Sequence, residues 1–346
     1  MQQWKNKSPR GEDDGDQPTD VSEVFFELAN APWVKYRRER DGGEINVAIR
    51  QDVQGAAQQH TGGIVWETAY LLLEYLLSSV QEPNSDADQV SNGDDDQHSL
   101  SGVGNKFVCR VLDSILDRCS SKPTTRKDSK NRKIVELGAG CGMLGIVLAS
   151  VLEQQSNETD NASPTCSVIV TETGEVMRNL ESNCRNNRIG KCLENLHEKE
   201  LDWTTYKEDC ARGDPSVDPG SIDLIVGTDV VFSTRFVEPM LQTMEYVSHD
   251  DTCAILCLQE RCADAHALLL VKAGEYGFTI KDSSEMIFDA YPACAWGRDL
   301  DCKLLVFTRT KPNKKEKKKK RKGARRRNNR KTRRKSDLQT KRATYD

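Results

Sequence analysis

At 346 residues the chain is long enough for one core of ordinary size plus appendages. With 30% charged and only 36% hydrophobic residues, part of it is expected to lie outside any packed core. The net charge of -4 hides an asymmetry, because residues 311–346 carry 19 Lys/Arg against 3 Asp/Glu and leave the remainder strongly acidic. The 12 cysteines are scattered singly, with no Cys-x-x-Cys pair and no zinc-type grouping with the five histidines, so neither a disulfide framework nor a metal site is expected. No N-terminal segment has the pattern of a signal peptide, and no run approaches the ~18 apolar residues of a membrane span. The expectation is a soluble, intracellular, reduced protein. In it the Asn-x-Ser/Thr triplets at Asn157 and Asn161 have no route to glycosylation.

Residues 1–21 are polar and expected to be disordered. The chain turns apolar from 24 to 33, and 44–50 alternates apolar and polar residues as a half-exposed strand does. Residues 62–77 carry only two strong charges, Glu67 and Glu74, seven apart and so on one helical face; such a helix must be mostly buried. Residues 81–105 collapse to Ser, Asn, Asp, Gln and Gly and form an expected disordered, acidic insertion. Helical apolar spacing resumes at 107–116, and a basic linker over 122–133 follows.

Residues 134–137 then form a short apolar run containing Glu136, which breaks into glycines at 138, 140 and 142 and resumes as a helix start at 143–149. That helix is expected to run to about Leu152, before a second polar insertion over 154–164. Strand readings follow at 166–170 (ending in Thr171-Glu172), 196–201, 221–227 and 252–258, separated by helix readings at 176–188, 235–246 and 263–276. Residues 278–288 and 302–308 read as a closing pair of strands with no helix between them, implying one antiparallel strand at the edge. Alternation of strand and helix predicts an α/β, Rossmann-like, mostly parallel sheet with helices on both faces.

Two ligand templates compete at the glycine turn. Gly140-x-Gly142-x-x-Gly145 fits a dinucleotide fingerprint, but that pattern alone is weak. A pyrophosphate needs a turn free of nearby negative charge, and Glu136 points an acid at the site. An acid there suits a ligand carrying an ammonium or sulfonium. Glu172, at the tip of the next strand, can accept both hydroxyls of a ribose. Together they favour S-adenosylmethionine over a nicotinamide dinucleotide. A solvated strand-end acid is the alternative reading for each carboxylate.

With these residues in view, Glu136-Leu-Gly-Ala-Gly-Cys-Gly resembles the first motif of the seven-stranded class I methyltransferases. Val65-Trp66-Glu67 opening an apolar helix, Leu201-Asp202-Trp203, and Gly227-Thr-Asp-Val-Val-Phe232 narrow the resemblance to the family-16 protein lysine methyltransferases, over about residues 44–310. The resemblance implies a seven-stranded methyltransferase domain at 22–310 that acts on a non-histone protein, with S-adenosylmethionine as cofactor. It implies that Gly138, Ala139 and Gly140 line the methionine and ribose part of that cofactor. Glu172 would hold the ribose, Trp203 would lie near the adenine, and Trp66 and Thr228 would complete the pocket. Core packing is the alternative for both tryptophans. Asp229 is given a positioning role toward the arriving amine, because a carboxylate beside lysine favours its charged form and serves poorly as base. Phe232 would wall the channel. Glu172 stands where the family usually has Asp, and Thr228 where a small apolar residue is common.

The tail from 311 to 346 has almost no apolar residues and cannot fold alone. It reads as a nuclear or nucleolar address, as a contact for RNA or ribosomes, or as a solvated tail. It lacks an apolar partner helix for membrane binding. Localisation is expected to be cytoplasmic, nuclear or both, and the protein monomeric. The competing functions are methylation of another nucleophile (protein histidine, RNA or a small molecule) and a non-catalytic nucleic-acid-associated scaffold.

Overall fold

The structure is a computed structural model that describes residues 2–4, 21–40, 43–53, 61–78, 132–157, 166–189 and 193–310. The acidic insertion, the helical spacing at 107–116, most of the basic linker and the basic tail lie outside the described residues, as do residues 5–20.

The N-terminal part builds a small sheet. β1 (Gln2–Trp4) pairs in parallel with β2 (Trp33–Arg40), which pairs antiparallel with β3 (Gly43–Arg50). β2 looks like a charged run, yet its alternate residues Val34 and Tyr36 are buried, as are Ile45, Val47 and Ile49 of β3. Period-two burial therefore operates under a coat of arginines. These side chains join one apolar cluster with Phe25 and Leu28 of α1 (Val21–Asn30). α2 (Glu67–Ser78) is buried from Thr68 to Leu77, which includes Glu74. That acid is paired with Arg38 of β2 at 3.0 Å, as a buried charge must be.

The main sheet has seven strands: β4 (Arg132–Leu137), β5 (Cys166–Glu172), β6 (Leu196–Glu200), β7 (Ile222–Thr228), β8 (Ser248–Gln259), β9 (Phe278–Asp282) and β10 (Cys302–Arg309). Their spatial order is β6-β5-β4-β7-β8-β10-β9, with β10 antiparallel to both its neighbours and the other pairings parallel. Alternate residues feed opposite faces. Ile134, Val168, Val170, Leu224 and Val226 pack with α2, α3 (Met143–Asn157) and α4 (Gly174–Arg188). Val135, Ile169, Ile225, Ala254 and Leu256 pack with α6 (Thr234–Val247) and α7 (Ala263–Lys272); the short α5 (Tyr206–Arg212) joins them through Tyr206. Each fully buried Val, Leu or Ile contributes about 1.5–3 kcal/mol, so this double burial makes the central strands the stable frame. The fold is the α/β, mostly parallel seven-stranded sheet with helices on both faces. The chain moves outward from β4 in both directions, and that reversal creates a crevice beyond the carboxyl ends of β4 and β7.

Several sequence expectations need correction. The segment 278–288 is not one strand: β9 stops at Asp282, and α8 (Ser284–Ala290) follows. Asp282 Oδ1 accepts the Ser284 amide at 3.0 Å and so turns the chain into that helix. A 3-10 segment, Pro292–Arg298, also lies between the closing strands. The antiparallel strand is not at the edge; β10 is inserted between β8 and β9. α3 continues beyond Leu152 to Asn157. Gly62 and Gly63 belong to a short 3-10 turn, Thr61–Gly63, and not to α2, which begins at Glu67.

Candidate active site

The site starts with the turn that leaves β4. Gly138 and Gly140 have φ of 60° and 56°, a backbone region that suits glycine. A Cβ on Gly140 would stand 3.2 Å from the carbonyl oxygen of Gly62, so the 3-10 turn lies directly against the glycine turn. Ala139 between them donates its amide to Thr171 O at 2.8 Å, tying the turn to β5. The hydroxyl of Thr171 donates in turn to Glu136 O at 2.6 Å.

The two acids occupy different environments. Glu136 is 1% exposed, and its Oε2 accepts the amide of Gly145 in the first turn of α3 at 2.9 Å. It thereby satisfies one of the orphan donors of that helix. Burial pushes its carboxyl up to about 8, against the pull of the Gly145 amide, and neighbouring Glu172 adds to the rise. Glu136 faces the cavity, as expected, and has a second, structural task. It lines the cavity, caps α3 through the Gly145 amide, and is held by burial toward its neutral form. Glu172 is less buried. Its Oε1 accepts Gly140 N at 3.1 Å and its Oε2 accepts Thr173 N at 2.8 Å.

Around these acids opens a cavity of about 770 Å³, large enough for a nucleoside-sized cofactor. All ten residues singled out from the sequence line it: Trp66, Glu136, Gly138, Ala139, Gly140, Glu172, Trp203, Thr228, Asp229 and Phe232. Trp203 is placed by Asp202, whose Oδ1 accepts both Thr204 N at 2.8 Å and Thr204 Oγ1 at 2.6 Å. That side-chain turn presents the indole to the cavity. The Trp203 ring meets Phe236 edge-on at 6.3 Å between centroids. Phe236 and Arg235 of α6 also line the cavity and were missed in the sequence, where they look like ordinary positions of an amphipathic helix. Phe232 is 39% exposed and lies 5.5 Å from Phe236, forming an aromatic edge at the opening.

Asp229 follows β7 and takes a φ of 49°, unusual for a residue other than glycine but tolerated best by Asp and Asn. Its Oδ1 accepts Gln259 N at 2.7 Å, and its Oδ2 is 3.0 Å from Arg261 Nη2. Burial raises its carboxyl, while the Gln259 amide and Arg261 lower it. The carboxylate expected to position the arriving amine is thus engaged within the chain. It already has an amide and a guanidinium from the end of β8. Arg261 gave no motif signal, yet the Gln259-Glu260-Arg261 segment sits at a strand's carboxyl end, where ligand sites of such sheets occur.

The lining chemistry decides between the two ligand templates. Even with Glu136 held toward its neutral form, the cavity wall carries three further acids, Glu172, Asp202 and Asp229, against one base, Arg235. Such a wall opposes a pyrophosphate and fits a cationic ligand bearing sugar hydroxyls and a flat base. The close seat of Gly62 on Gly140 leaves backbone, not side chain, to approach it. The residues present thus fit S-adenosylmethionine. Among the described residues no cluster of metal-ligating side chains occurs, and no helix is long and apolar enough to cross a membrane.

Comparison with known proteins points the same way. The sequence pattern of a family described as lysine methyltransferase matches residues 45–272. The chain is 26% identical over 151 residues to protein N-lysine methyltransferase METTL21A of Danio rerio, covering 44% of this chain and 60% of that protein. It is 28% identical over 131 residues to protein-lysine methyltransferase METTL21E of Mus musculus, covering 38% of this chain and 47% of the other. It is 24% identical over 165 residues to EEF1A lysine methyltransferase 3 of Xenopus tropicalis, covering 48% and 62%. The chain therefore spans about half to three fifths of the length of these relatives.

Proposed function

The chain belongs to the lysine methyltransferase family, and from that premise we propose that it transfers a methyl group from S-adenosylmethionine to the side-chain amine of a lysine in a protein substrate. The observation that carries the proposal is the family's match across the strands and turns that build the cavity, from β3 to α7. The acid-rich wall supports the same ligand independently.

When bound, S-adenosylmethionine supplies a methyl carbon on a sulfonium, open to displacement by a neutral amine nitrogen with the sulfur leaving as a thioether. The residues of the chain bind, align and exclude water. Glu172 is assigned to the ribose hydroxyls, and the backbone of Gly138, Ala139 and Gly140 to the methionine and ribose part. Trp203 offers a flat face to the adenine, and Trp66 and Thr228 close the wall. Phe232, with Phe236 behind it, supplies an apolar rim through which a lysine's methylene stem passes. Alignment of this kind supplies roughly 7–11 kcal/mol of the barrier. A lysine of ordinary pKa, about 10.4, must also lose its proton, at a cost of roughly 4.6 kcal/mol at neutral pH. A dry, apolar rim lowers that cost by disfavouring the charged form.

The name of one relative, EEF1A lysine methyltransferase 3, supports a protein as substrate, and we take that substrate to be a non-histone protein. The basic tail is assigned to nuclear or nucleolar delivery, or to a contact with RNA that concentrates the enzyme near its substrate, on charge alone. The test is incubation of the full chain with radiolabelled S-adenosylmethionine and cell extract, then mass spectrometry of the labelled residue. Label on a lysine of a protein is the expected result. Label confined to RNA, to a small molecule or to histidine would overturn the lysine assignment.

A further inference from the structure

Arg261 makes three contacts that the proposed chemistry has not used. Its Nη2 lies 2.6 Å from Glu67 Oε1 and 3.0 Å from Asp229 Oδ2, and its guanidinium carbon stands 4.5 Å over the ring of Trp66. The partners come from distant parts of the chain. Trp66 and Glu67 open α2, Asp229 follows β7, and Arg261 rises from the turn between β8 and α7. Trp66 and Asp229 line the cavity, whereas Arg261 and Glu67 stand behind that wall. One guanidinium thus braces two wall residues from outside. Its planar fork makes it suited to span two carboxylates while lying on an indole, which an ammonium could not do equally well.

The charge at this end of the cavity follows from the same contacts. Glu67 and Asp229 present two carboxylates, with side chains 13% and 6% exposed, and Arg261 answers them with one positive charge. Arg261 and Glu67 are the charged groups that act on Asp229, while the acids Glu260 and Asp301 act on its neighbours His266 and Cys302. His266 of α7 is held toward its neutral form by burial, and the buried thiols of Cys257 on β8 and Cys302 on β10 are pushed upward. Arg235 of α6 lies on the cavity wall toward the aromatic rim. Without Arg261 the site would hold two unmatched acids. An amine arriving there would be held as an ammonium, the form that cannot accept a methyl group.

We infer that Arg261 is a positioning residue for the methyl acceptor: it fixes Trp66 and Asp229 and offsets the charge of the Glu67–Asp229 pair, so that an amine at this end of the cavity gives up its proton. The inference rests on the reading of the chain as an S-adenosylmethionine-dependent methyltransferase. It gives Asp229 and Glu67 a role as a matched set with Arg261, and neither acid serves as the base. The proton passes to bulk water as the amine enters past the exposed edge of Phe232, before the lysine stem fills the rim.

The test needs no protein substrate. Sinefungin carries a primary amine where the methyl donor carries its transferable methyl, and S-adenosylhomocysteine carries no charge there. The ratio of their affinities, measured by calorimetry from about pH 6 to about pH 9, reports the protonation of an amine at the transfer position. In Arg261→Gln the ratio should move toward sinefungin by about tenfold at neutral pH, and the pH at which its advantage fades should rise by about one unit. Arg261→Lys keeps the charge and should stay within about threefold of the wild type. A Gln variant with an unchanged ratio overturns the inference. So does equal weakening of both ligands in both variants, which marks a merely structural role. If the wild type binds neither ligand, the methyltransferase reading itself fails and the inference falls with it.

Discussion

At the tip of β5, Glu172 Oε1 accepts the amide of Gly140 at 3.1 Å and so joins the ends of two neighbouring strands across the floor of the cavity. The same carboxylate is the group we propose for the ribose, so on that proposal one side chain would both shape the turn and hold the ligand. Glu172→Ala should weaken binding of S-adenosylhomocysteine by about tenfold or more, a hydrogen bond to a charged group contributing about 1.5–3 kcal/mol. Glu172→Asp, shorter by one methylene, should fall between. Calorimetry checks this, and an alanine variant that binds like the wild type would remove Glu172 from the ribose site.

Glu136 yields a pH prediction. Its folded-state carboxyl stands at about 8, above its ordinary 4.5, so the native chain holds that proton more tightly than the unfolded one. Stability from this group is full below 4.5 and is lost as pH rises toward about 8. Glu136→Gln can still accept the Gly145 amide but has no proton to lose. Thermal unfolding followed upward across that interval should therefore show the wild type losing more stability than the variant. Parallel curves would mean that Glu136 is not held protonated.

Gly145 tests the packing of the same corner. A Cβ there would stand 2.1 Å from Val170 Cγ1 and 2.6 Å from Glu136 Oε2, so α3 must sit this close to β5. Gly145→Ala should destabilise the chain by about 1–3 kcal/mol, the usual range for overpacking, although alanine is the better helix former. A melting temperature equal to or above the wild type's would show that the corner has room.

The readable part of this chain was the part governed by local rules. The apolar strands and the glycine turn follow from strand burial and from glycine's freedom, which leave marks over a few residues, and the acids at the carboxyl ends of β4, β5 and β7 stand out against those apolar runs. β2 did not show itself, because Lys35, Arg37 and Arg38 flank the buried Val34 and Tyr36, and only pairing with β3 reveals the alternation. The place of β10 between β8 and β9 was equally hidden, since strand order depends on contacts between distant segments. In the site, the ten residues singled out from the sequence line the cavity, while Glu67 of the same motifs stands behind its wall. Phe236 and Arg261 had no motif signal. One is a helix position that happens to face inward, and the other acts through partners 194 and 32 residues away along the chain.

Asp229 joins the backbone argument to the chemical one. Its φ of 49° and its two engaged oxygens ask for a residue that tolerates the left-handed region and accepts the Gln259 amide. Asn tolerates the turn and can still accept the Gln259 amide, but it turns an amide donor toward the Arg261 guanidinium, losing that hydrogen bond as well as the charge; Ala meets neither demand and adds about 1–2 kcal/mol of backbone strain. Asp229→Asn should therefore melt between the wild type and Asp229→Ala and bind S-adenosylhomocysteine normally, with Asp229→Ala melting lowest. If the carboxylate's charge matters to acceptor positioning, both variants should lose methyl transfer to the labelled protein substrate, by about tenfold or more, since a charged partner contributes about 1.5–3 kcal/mol. If Asn restores transfer to the wild-type rate, the side chain serves the turn alone, and the acceptor must be aligned by Trp66, Phe232 and the surrounding backbone.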